Sequence, residues 1–118
     1  MTITFINNNL IVKLEGEIDH NNSAILRHRI DKEINSRPVK NLVLDMENVN
    51  MMDSSGIGMI LGRYKNIKAL NGSVFITRPK KEILKIINIS GLHKIIPVCS
   101  DVCGAIGSRK GVAKWEII

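Results

Sequence analysis

Aromatic residues are scarce in this chain: of its 118 residues, one is Trp, one is Tyr and two are Phe. A core must therefore be built from Ile, Leu, Val and Met. The shortage also argues against binding single-stranded nucleic acid by stacking bases on rings. Cysteine is almost as rare. Cys99 and Cys103 stand four apart, neighbours on one face if helical, and two cysteines make neither a disulfide framework nor a complete zinc site. No apolar run approaches the ~20 residues of a membrane span, and none near the start has the form of a signal peptide. These absences point to the cytoplasm and to no membrane partner. His20, His28 and His93 fall in no triad or metal spacing. The sequence thus predicts no catalytic residue, no metal ligand and no cofactor.

What is present fits one domain over residues 1–118, at 44% hydrophobic able to bury a small core. The net charge of +6 is uneven. Residues 1–53 carry six Lys and Arg against eight Asp and Glu, a net of −2; residues 54–118 carry eleven against three, a net of +8. A basic half can meet nucleic acid, an anionic surface or an acidic protein. Here the cations form no single block, so they read as a solvated surface.

Along the chain, Thr2 to Ile6 suggests an edge strand and Asn7-Asn8-Asn9 a turn. Leu10, Val12, Leu14 and Gly16 alternate with Ile11, Lys13, Glu15 and Glu17, the pattern of a half-buried strand, with Gly16 permitting close approach. Asp19 to Ser23 is rich in capping residues. A helix to about Ser36 follows, with Leu26, Ile30 and Ile34 inward and Ile25 widening the stripe. Asn41 to Asp45 reads as a buried strand and Glu47 to Asn50 as a loop. A helix is expected from about Ser54 to Leu70, with Ile57, Ile60, Leu61 and Tyr64 on one face, closed by Asn71-Gly72. A strand over Ser73–Thr77, a helix over Lys80–Ser90 with Ile83, Ile86 and Ile87 inward, and a last strand over Ile95–Val98 complete the pattern. Asp101 to Ile106 has the length of a short helix, and Val112 to Ile118 reads as a tail or terminal strand. Strands separated by helices imply crossovers and a parallel or mixed sheet. The expected class is α/β: a small mixed sheet of four to five strands flanked by three to four helices.

Asp53-Ser54-Ser55-Gly56 marks the start of the second helix. In the plainest reading Asp53 or Ser54 caps free N–H groups there. A helix N-terminus also accepts a phosphate with little disturbance, so a serine here is placed to act as a phosphorylation switch. Gly56-x-Gly58-x-x-x-Gly62 lacks the Gly-Lys-Ser/Thr ending of a phosphate-binding loop, and its glycines are expected to permit close helix packing.

Met52-Asp53-Ser54-Ser55-Gly56-Ile57-Gly58, with Leu61-Gly62-Arg63-Tyr64-Lys65 after it, resembles the core motif of bacterial anti-sigma factor antagonists of the STAS domain family, the sporulation type above all. Leu14-x-Gly16-Glu17-Ile18-Asp19-His20 and Ser90-Gly91-Leu92-x-Lys94-Ile95-Ile96 are similar to two further blocks of that family. The resemblance spans about residues 3 to 98. It implies the STAS fold and a protein that is substrate and ligand, not enzyme. By that resemblance Ser54 is the phosphorylated residue. Asp19, His20, Asp53, Ser55, Gly56, Ile57 and Gly58 then frame the partner surface with it.

The implied partners are an anti-sigma factor that is also a GHKL-type serine kinase and a PPM-type serine phosphatase. Binding by the unphosphorylated form would release the sigma factor, with a monomer as the expected state. A STAS scaffold, or a subunit of a lipid transporter, is the alternative. One departure stands out: where the family ends in a polar amphipathic helix, Gly104 to Lys114 is glycine-rich and basic and Trp115 to Ile118 largely apolar.

Overall fold

In the computed structural model, which describes residues 1–107, the chain opens with an antiparallel hairpin of β1 (Thr2–Ile6) and β2 (Asn9–Ile18). Asn7 and Asn8 turn it at φ 49° and 67°, a region asparagine tolerates better than most side chains. Then follow α1 (Ser23–Ser36), β3 (Asn41–Met52), α2 (Ser54–Ala69), β4 (Ser73–Thr77) and α3 (Lys81–Ser90). A 3-10 turn (Leu92–Lys94), β5 (Val98–Cys99) and α4 (Val102–Gly107) end the described chain. The five strands lie in sequence order, and β2 through β5 are parallel. This is the expected mixed sheet, with four α-helices among the described residues.

The strands alternate between two faces, and that alternation divides the core. Leu42, Leu44 and Met46 of β3 and Val74 and Ile76 of β4 pack with Ile30 and Ile34 of α1, Ile60 and Ile67 of α2 and Ile83 and Ile87 of α3. Val43 and Phe75 point the other way, onto Ala105 and Ile106 of α4. Parallel strands need crossovers, and here all three crossover helices lie on one face. The N-terminus of α2 therefore emerges beside the C-terminal ends of β2 and β3.

Several sequence expectations are corrected. Residues 47–50 are strand, not loop: β3 runs on to Met52, paired with β2 alone after Asp45 has met Thr77 of β4. One-sided pairing explains the polar, exposed Glu47, Asn48 and Asn50. The last strand is only Val98–Cys99, because Leu92–Lys94 coils first and Ile96, fully buried, precedes the ladder. Ile25 does not widen the apolar stripe but is 63% exposed. On α2 the buried face is Gly56, Met59, Ile60, Arg63 and Ile67, with Ile57, Leu61 and Tyr64 at its margins. Ile86 is likewise marginal. Gly16 is required by its φ of 75°, not by crowding, since an added Cβ would meet nothing within 4 Å. Val112–Ile118 lies outside the described residues. No helix among the described residues is long and apolar enough to cross a membrane.

Asp45, almost wholly buried, is held by Arg78. The guanidinium donates to both carboxylate oxygens, at 3.3 and 2.6 Å, and that contact raises the Arg78 pKa. Arg78 adopts φ 53°, a costly backbone for this side chain that the paired, buried carboxylate offsets.

Candidate functional site

The site is built where β2 and β3 end side by side. Ile18 pairs with Met52, and the next residue, Asp53, donates its N–H to the Ile18 carbonyl at 3.2 Å. The extended Asp53 is then the N-cap of α2. Its Oδ1 accepts the N–H groups of Ser55 at 2.8 Å and Gly56 at 3.3 Å. Its other oxygen accepts the N–H of His20 at 3.3 Å. One carboxylate thus caps a helix and ties the loop after β2 to it.

That loop holds itself by reciprocal bonds. Asp19 Oδ1 accepts from the N–H groups of Asn21 and Asn22 at 3.0 and 3.2 Å. Asn22 Oδ1 accepts the Asp19 N–H at 2.9 Å, and its amide donates to the Glu17 carbonyl. Asn22 is the N-cap of α1 by position, but its side chain closes the loop and makes no cap bond. Sequence reasoning read this stretch as capping residues and missed the clamp. The signal was available in the Asx spacing of Asp19 and Asn22.

The predicted site residues are gathered around this knot. Ser54 is exposed at the first position of α2, and its hydroxyl has no partner among the described residues. His20 and Gly58 are exposed; Asp19, Asp53 and Ser55 are half-buried. Ile57 packs against the core and Gly56 is buried, so these two support the surface more than they form it. Met51, two residues before the cap, is 40% exposed, an apolar neighbour the sequence reading left out.

The glycines divide. An added Cβ at Gly56 would lie 2.5 Å from Met52 Cγ and 2.9 Å from the Ile18 carbonyl oxygen, so close packing does require glycine there. At Gly58 and Gly62 nothing lies within 4 Å of an added Cβ. The expectation of packing glycines is overturned at those two.

Asp53→Ala removes the cap and the tie to His20 together. Loss of an acidic N-cap costs about 1 kcal/mol. The expected result is a modest fall in thermal midpoint with faster amide exchange at His20, Ser55 and Gly56, read by hydrogen-exchange NMR. Unchanged exchange at His20 would show that the tie does not hold the loop.

Comparison with known proteins agrees with this fold. A family model described as the STAS domain matches residues 1–105. The anti-sigma F factor antagonist of Paenibacillus polymyxa is 38% identical over 97 residues, 82% of this chain and 83% of that protein. Among solved structures, the anti-sigma factor antagonist SpoIIAA in its unphosphorylated form superposes with a TM-score of 0.81 at 26% identity, covering 94% of this chain and 96% of that one. The phosphorylated form of SpoIIAA, a Bacillus cell fate determinant, gives 0.71 at 25% identity, covering 92% and 98%.

Proposed function

The chain belongs to the STAS domain family, and from that premise we propose that it is an anti-sigma factor antagonist switched by phosphorylation of Ser54. The unphosphorylated protein binds an anti-sigma factor through Asp19, His20, Asp53, Ser54, Ser55, Gly56, Ile57 and Gly58, and so frees a sigma factor. The anti-sigma factor is itself a GHKL-type serine kinase that phosphorylates Ser54 and ends the complex. A PPM-type phosphatase restores the free hydroxyl. The protein is ligand and substrate in this cycle, acting as a monomer in the cytoplasm.

The carrying observation is the placement of Ser54. It is exposed at a helix N-terminus whose second and third N–H groups Asp53 already caps. A kinase can reach the hydroxyl without unfolding the helix. The phosphate, about −1.5 to −2 charges at pH 7, gains from the helix dipole. With Asp53 occupying those N–H groups, it stays directed outward. A relative with both a phosphorylated and an unphosphorylated structure supports the same reading.

The test is intact mass and site mapping after incubation with ATP and the GHKL-type kinase encoded nearest this gene. One added phosphate on Ser54, lost in Ser54→Ala, is expected. No phosphate, with tight binding retained, would make the protein a STAS scaffold without a switch.

A further inference from the structure

A pocket between α1 and α2 adjoins the switch surface and shares Ser55 and Gly58 with it. Its volume is about 320 Å³, within the size range of small-ligand sites. Its cationic wall is Arg63 and Arg27. Arg63 is only 6% exposed, and an arginine so buried is normally fully paired. This one is not. Its Nε lies 2.8 Å from Asp31 Oδ1, but out of line with the N–H, so the contact is an ion pair without a directed hydrogen bond. Nε and Nη1 both lack a hydrogen-bond partner among the described residues. Asp31 Oδ1 also accepts from Asn66, at 3.4 Å. Burial lowers the Arg63 pKa, Asp31 opposes that, and the charge of Arg27 lowers it further. Arg63 and Arg27 both line the pocket and no carboxylate does, while Asp31 balances part of the Arg63 charge from outside the lining.

The floor carries an independent sign. Gly58 and Gly62 line the pocket, and an added Cβ at either would meet only open space. Glycine inside a helix costs about 1 kcal/mol relative to alanine, and here the fold of the isolated chain gains nothing in return. Their missing side chains keep the pocket open. Ser23 and Ser55 add hydroxyls at its rim, where they can donate to an anion.

We propose that the α1–α2 pocket binds a small oxyanionic molecule, its phosphate or carboxylate group taken by Arg63 and Arg27 and its body resting over Gly58 and Gly62. Planar guanidinium donors match the oxygen pairs of both groups. The full chain is titrated at constant ionic strength with glycerol 3-phosphate and, separately, with succinate, followed by proton–nitrogen NMR. A saturable shift at the Gly58 and Gly62 amides and the Arg63 Nε–H is expected for at least one probe, and the pair identifies the source of the oxyanion. Arg27→Gln should weaken that binding about tenfold or more, the loss of one charge-assisted contact. Gly62→Ala should raise the thermal midpoint and still abolish binding, which separates an occupied pocket from a packing role. No saturable shift with either probe overturns the proposal, as does binding left intact in Gly62→Ala. Because Arg63 is buried and its variants risk unfolding, the test does not depend on them.

Discussion

Ser54→Asp is expected to bind the anti-sigma factor more than about 100-fold more weakly than the unmodified protein, a loss of ~3 kcal/mol, with an unchanged fold. Ser54→Ala is expected to stay bound. The helix terminus itself tolerates negative charge, and Asp53 has already satisfied the Ser55 and Gly56 N–H groups. An added carboxylate therefore has no reason to fold back. It stands outward at an exposed position, next to Asp53 and close along the loop to Asp19. In a complex it must be desolvated or meet whatever anions the partner presents. The cost falls on the interface, not on the domain. Calorimetric titration of the partner against both variants measures it, with circular dichroism to confirm the fold. Equal affinities for Ser54→Ala and Ser54→Asp would remove the switch, and a rearranged sheet in Ser54→Asp would remove the claim that the domain is indifferent.

The cap and the exposed position of Ser54 were legible in the sequence because they are local. Asp53 reaches N–H groups two and three residues ahead, and four consecutive residues display that geometry. The alternation from Leu10 to Glu17 was equally plain, since each side chain on β2 answers to one face. What failed to show was long-range. Arg63 reads as one more surface cation, and its burial against Asp31 of another helix shows only in the fold. Residues 47–50 read as a loop because one-sided pairing leaves them polar, and the bulged register with β2 that keeps them extended has no sequence signature. Gly56, Gly58 and Gly62 look alike in the motif, yet one is clamped under a neighbouring strand end and two face empty space. A glycine's reason lies in what surrounds it, and the chain alone does not display its surroundings.

That contrast gives the second large effect. Gly56→Ala is expected to destabilise the protein, although alanine is the better helix former. A methyl group at residue 56 would lie 2.5 Å from Met52 Cγ, 2.9 Å from the Ile18 carbonyl oxygen and 3.0 Å from Ile18 Cγ2. The methionine can move at modest cost, but the carbonyl is backbone and already accepts the Asp53 N–H. Overpacking of this kind costs up to about 3 kcal/mol. The helix-propensity gain of alanine is about 1 kcal/mol, so with backbone in the way strain wins and the net loss reaches about 2 kcal/mol at the upper end of that range. At ~4 °C per kcal/mol for a domain of this size, the thermal midpoint should fall by up to roughly 8 °C. The first turn of α2 must lift away from β2 to relieve the contact. That loosens the Asp53 tie to Ile18 and carries Ser54 out of register with His20, so partner binding should weaken as well. Gly62→Ala is the matched control, with the same chemical change in the same helix and the opposite expected sign in stability. A midpoint that rises in both variants would show that α2 does not press on the end of β2, and that the placement of Ser54 rests on the Asp53 cap alone.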